Sequence, residues 1–123
     1  MGLLDAITRR TVKQIEGDAA EERARRFLEQ QGLTLVERNF RCKGGEIDLI
    51  MQERASLVFV EVRKRAGSGF GGAAASVTPR KQARLVIAAQ VFLQRYRMPP
   101  PCRFDVVAID DDAMSWLKNV IDA

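Results

Sequence analysis

The chain has 123 residues, 46% of them hydrophobic, with 20 Lys and Arg against 16 Asp and Glu. That length suits one compact domain burying roughly two-thirds of the surface that its unfolded chain exposes. With no histidine and only Cys42 and Cys102, Ser-His-Asp and Cys-His centres and a structural zinc site drop out, so any metal should be a hard cation held by oxygen. No stretch approaches the roughly 18 apolar residues needed to cross a bilayer, and the N-terminus lacks an apolar signal core. A cytoplasmic protein without membrane contact, its thiols reduced, is therefore expected.

Residues 1–16 read as a basic N-terminal arm or short helix ahead of a domain spanning 17–123. A firmer helix runs from Thr11 or Gly17 to Gln31, with Ala20, Ala24, Phe27, Leu28 and Gln31 on one face and Gly32 as the stop. Glu21 lies at the edge of that face, as a surface residue of an Arg-rich helix or as part of a site.

Strand-like runs follow at Leu33–Phe40, Glu46–Met51 and Leu57–Lys64, joined by connections short enough for an antiparallel meander. The last is apolar on both faces apart from Glu61 and Arg63, as in a central strand covered on each side. Strand alternation puts Glu46 and Asp48 on one face of their run, and Glu61 and Arg63 on one face of theirs. Unpaired charges in such surroundings cost several kcal/mol, by order of magnitude, unless a metal, a partner or water compensates. A polar site built on the sheet is expected.

The glycine-rich segment Ala66–Val77 reads as a linker or as a flap over substrate, and it lacks the Gly-Lys-Ser/Thr of a phosphate-binding loop. Thr78-Pro79 caps a second helix that reaches about Tyr96, with Val86, Ala89, Leu93 and Tyr96 facing the sheet and Gln82 on that face near its start. Pro99-Pro100-Pro101 ends the helix, and Arg103–Ile109 is a further strand, added in parallel through the helical crossover. Asp110-Asp111-Asp112 is a turn, the tail Ala113–Ala123 is a short strand or helix, and Trp116 is a packing anchor.

Between Val62 and Phe104 there is no acidic residue, but nine basic ones. Their clusters bracket the glycine-rich segment right after the carboxylate strand, which favours a polyanion across the site over a merely solvated face. Lys64, Arg65, Arg80, Lys81 and Arg84 are the candidate nucleic-acid contacts.

The order helix, three strands, helix, strand, with an acidic residue on the second strand and Glu-x-basic on the third, resembles the PD-(D/E)XK nuclease superfamily. More closely, the runs GEIDLI, VFVEVRKR, FGGAAASVTPRKQ and CRFDVVAID are similar to the small bacterial YraN family, related to Holliday-junction resolvases. The resemblance spans Gly17 to the C-terminus. It implies an α/β fold: a single restriction-endonuclease-like domain with a helix-three strands-helix-strand core, its mixed central sheet flanked by helices. It also implies that Asp48 and Glu61 hold Mg²⁺ or Mn²⁺, with Glu21 completing the shell through water and Glu46 as an extra ligand. Where the superfamily has lysine this chain has Arg63, which cannot lose a proton at physiological pH. Lys81, with Gln82 beside it, is the substitute, at a helix N-terminus that favours phosphate.

The resemblance implies metal-dependent hydrolysis of nucleic acid, DNA ahead of RNA, with branched or junction substrates and a homodimer following only by analogy with the resolvases; the sequence itself leaves DNA or RNA, duplex or junction, and monomer or dimer open. The alternatives are a nucleic-acid-binding module that keeps the fold without cutting, and an interaction protein whose strand charges form an internal ion-pair network.

Overall fold

The computed structural model describes residues 11–65 and 77–121. The glycine-rich segment, the first ten residues, the side chain of Arg65 and the last two residues lie outside them. Helix α1 (Val12–Gln30) opens on a capping box in which Thr11 Oγ1 accepts from the Gln14 N–H and Gln14 Oε1 accepts from the Thr11 N–H. It therefore begins inside the segment read as an arm. It closes at Gly32, whose φ of 99° lets the Leu33 N–H turn back to the Leu28 carbonyl.

Strands β1 (Thr34–Cys42), β2 (Gly45–Glu53) and β3 (Ser56–Arg65) form the expected antiparallel meander. Helix α2 (Pro79–Leu93) then carries the chain to β4 (Cys102–Asp110), which pairs in parallel with β3 from Leu57↔Cys102 to Arg65↔Asp110. The tail supplies β5 (Ala113–Leu117), antiparallel to β4 across a turn that begins at Asp111 with φ 53°. The five strands lie in sequence order, so β3 is central in a mixed sheet. This is the α/β class expected from the sequence.

One core packs each side of the sheet. Ala20, Ala24 and Leu28 of α1 meet Leu49, Met51, Val58, Val60, Val62, Val107 and Ile109. On the other side Leu85, Ala88, Ala89 and Phe92 of α2 meet Ile47, Ile50, Leu57, Phe59 and Phe104. The face of α2 is a correction: of Val86, Ala89, Leu93 and Tyr96, only Ala89 is fully buried, and the others flank Leu85, Ala88 and Phe92. Apolar residues occupy most of this helix's circumference between Leu85 and Leu93, so periodicity alone did not choose among adjacent faces. Helix α2 also crosses close over β2. A Cβ at Gly45 would stand 2.1 Å from the Arg84 carbonyl oxygen, so only glycine fits there.

Trp116 packs edge-on against Phe27, ring centroids 6.0 Å apart, tying β5 to α1. Its indole N–H donates to Asp105, a carboxylate with no exposed surface on β4. No helix among the described residues is long and apolar enough to cross a membrane. Both cysteines are free thiols.

Candidate metal and nucleic-acid site

The β1–β2 ladder shifts register between Leu35 and Glu37 and has a further gap nearer the end of the strands. Arg38 pairs with Leu49 and Phe40 with Ile47, but the residues between them, Asn39 and Asp48, are not paired, and Asn39 takes a left-handed φ of 54°. Ile47 and Leu49, two positions apart, pack on opposite sides of the sheet. Glu46 and Asp48 nonetheless border one and the same cavity. The β2–β3 ladder also stops, at Leu49↔Val60, and the Asp48 carboxylate takes the Val62 N–H at 2.8 Å in its place. Asp48 is thus held by backbone where β2 and β3 part, while β1 and β2 stay paired beyond it as far as Cys42↔Gly45.

Around it lies a cavity of about 660 Å³ between α1 and the ends of β1, β2 and β3. Glu21 from α1, Asp48 from β2 and Glu61 from β3 line it, together with Arg41, Arg63 and Lys64. Asp48 is within hydrogen-bonding reach of both glutamates. Burial, and then the Asp48 charge, push the Glu61 carboxyl up to about 8, with Arg63 and Lys81 opposing. The same two causes raise Glu21 to about 7, against Arg41 and Arg38. Burial beside the Asp48 charge therefore favours the protonated form of both glutamates. The sequence thus marked Glu21, Asp48 and Glu61 separately, and the fold gathers them.

Arg63 is joined to Glu61 at 3.7 Å, both side chains largely buried. Lys81, at the start of α2, is near enough to feel Glu61 and Asp48, and burial followed by the Arg63 charge lowers its pKa. Glu46 lines the cavity, but its carboxylate is half exposed and engages Arg84 at 3.2 Å. Gln82 does not line the cavity; its amide donates to the Val77 carbonyl at the start of α2. The Lys81 N–H is likewise taken by Thr78 Oγ1, at 3.3 Å. Arg80 is exposed on the first turn of the same helix, and Arg84 lies one turn further along.

Two features were missed from the sequence. The β1 residues Arg38, Asn39 and Arg41 border the site, and an asparagine between two arginines in a strand was the available signal. Asp105 interrupts an apolar strand as Asp48 does, but it lies in a separate cluster with Arg103, Glu53 and Trp116.

The donor chemistry of the cavity suits a hard divalent cation, since its acidic groups offer oxygen and a positive charge among them would relieve their repulsion. Among the described residues no group of three His, Cys, Asp or Glu side chains is preset to hold a metal ion. Ligation would accordingly draw the carboxylates together and displace protons from the glutamates.

Residues 20–109 match the model of the uncharacterised protein family UPF0102. A UPF0102 protein of Herminiimonas arsenicoxydans is 66% identical over 114 residues, covering 93% of this chain and 92% of its own. One from Cupriavidus taiwanensis is 55% identical over 117 residues, covering 94% of this chain and 89% of its own. The match takes in both strands that carry the carboxylates, α2 and most of β4, and with these relatives it establishes that the chain belongs to the UPF0102 family, which is the YraN family of the motif resemblance.

Proposed function

We propose that this protein is a metal-dependent endonuclease hydrolysing phosphodiester bonds of DNA, with branched or junction DNA as its substrate. The observation that carries the reading is the gathering of Glu21, Asp48 and Glu61 in one cavity bordered by basic side chains. A structural ion-pair network accounts for Glu61 with Arg63 and for Glu46 with Arg84. It does not account for Asp48, which faces two other acids whose ionisation it opposes. Like charges held together without a cation are costly, and polyanion chemistry uses such a site when a cation is present.

Asp48 and Glu61 would hold Mg²⁺ or Mn²⁺, with Glu21 completing the shell through water. A divalent cation there supplies charge neutralisation at the scissile phosphate and acidifies water. The Val62 N–H fixes the orientation of Asp48. Arg63 offers a fixed fork of donors to a phosphate oxygen and cannot act as a base. Lys81 can exchange a proton, because its surroundings already weaken the ammonium form.

The test is a nicking assay on branched DNA with Mn²⁺. The parent should cut slowly, Asp48→Ala should abolish cutting, and Arg63→Lys should accelerate it if proton transfer limits the rate. General acid–base groups typically contribute about 10²–10⁴-fold, so even partial recovery is measurable. The Glu61–Arg63 pair at 3.7 Å favours a second reading, a binding module that no longer cuts. Failure of both proteins on duplex, single-stranded and junction DNA and on RNA, with DNA binding intact in Asp48→Ala, would decide for that module.

A further inference from the structure

We infer that the groove between α1 and β1 is the track for the polynucleotide backbone on one side of the carboxylates, with Arg38 and Arg41 as its phosphate contacts. The inference rests on the nucleic-acid part of the proposed function, and it adds a surface that the basic tract after β3 does not contain.

A second cavity, of about 550 Å³, continues the carboxylate cavity along α1. The two share Gly17, Glu21, Asn39 and Arg41 in their walls, so the groove passes Glu21 and runs on beside β1. Its α1 wall is low at Gly17, where an added Cβ would meet nothing within 4 Å. Its β1 wall is shaped by the left-handed Asn39, at the level where the ladder opens, and Arg38 and Arg41 stand on either side of that residue. Lys13 of α1 borders the carboxylate cavity from the opposite wall.

The two arginines have modest structural work. Arg38 is half exposed and reaches Glu22 only at 4.0 Å, and Arg41 is exposed. A surface pair at that distance adds little stability. Both instead line the groove beside Glu21. An acidic floor repels a polyanion, so a backbone crossing it needs cationic contacts on each side. Arg63 and Lys64 stand at the β3 side of the cavity, and Arg38 and Arg41 supply the β1 side. Guanidinium forks suit phosphate oxygens in such a place, and they give affinity without sequence preference.

The experiment compares the full-length parent with the double variant Arg38→Glu, Arg41→Glu. Anisotropy of a labelled four-way DNA junction is followed across a salt series, and Mn²⁺ binding is followed by calorimetry in parallel. Neutralising a phosphate contributes about −0.9 to the log–log salt slope on duplex DNA. The slope should therefore become shallower by about 2 in the variant, with Mn²⁺ binding retained. If charge reversal lowers the melting midpoint, the neutral pair Arg38→Gln, Arg41→Gln provides the same reading. An unchanged slope and affinity would overturn the groove, even if the parent cuts DNA. Absence of any nucleic-acid binding by the parent would overturn it too. A parent that binds with this arginine-dependent slope but never cuts leaves the groove standing and removes the nuclease reading.

Discussion

Glu61 is the residue whose titration reports most directly on the site. Its native carboxyl is raised from an ordinary 4.5 to about 8, by burial first and by Asp48 second. The sign follows from proton linkage: the folded state keeps a proton that the unfolded chain releases, so this group's contribution is most favourable below about pH 4.5 and is lost as pH rises through about 8. Metal-free Glu61→Gln should therefore melt several degrees higher than the parent at pH 8 and about equally near pH 4, as read by thermal denaturation. A lower midpoint at pH 8 would mean that Glu61 is stabilised by its pair with Arg63 rather than strained by Asp48. The sequence displayed Glu61, Asp48 and Arg63 as charges punctuating apolar strands. It did not display their grouping with Glu21, because that depends on how α1 packs over the sheet, which strand alternation does not encode.

Among the elements, the crossing of α2 over β2 depends on Gly45. An added Cβ would also stand 3.0 Å from the Ala88 amide nitrogen, so two points of the α2 backbone would have to move. Gly45→Ala should cost about 1–3 kcal/mol, the range for overpacking a tight contact, and urea denaturation should show it as a lower midpoint. An unchanged midpoint would mean that α2 shifts freely over the sheet. The attachment of β5 rests on Asp105, which accepts from Arg103 Nε at 3.1 Å, Trp116 Nε1 at 2.9 Å and the Asn119 N–H at 2.8 Å. Asp105→Ala removes all three acceptor contacts and leaves Arg103 to Glu53 alone, which it meets at 2.7 Å. Breaking a buried pair in this way typically costs about 3–5 kcal/mol, so the same denaturation should show a larger loss than for Gly45→Ala. The start of α2 and the end of α1 were legible because their signals are local, Thr78 with Pro79 and Gly32 after the last turn, whereas the start of α1 was left open between Thr11 and Gly17. The inward face of α2 was not, since tertiary packing chose it.

Across the molecule, two helices on opposite sides of one mixed sheet leave an open end where the β1–β2 hairpin parts from β3, and the carboxylates meet there. The antiparallel meander, the parallel crossover and the central place of β3 could be read from connection lengths and from the two-faced apolarity of Leu57–Lys64. The groove along α1 could not, because it is made by Gly17 on a helix and Arg38, Asn39 and Arg41 on a strand, brought together only by folding. The central claim is that Asp48 and Glu61 hold a divalent cation in this end of the sheet. A crystal soaked in Mn²⁺ tests it without knowledge of the substrate. Anomalous density between Asp48 and Glu61, lost in Asp48→Ala, is the predicted result. Density elsewhere, or none at a pH above 8 where the glutamates are ionised, would contradict it.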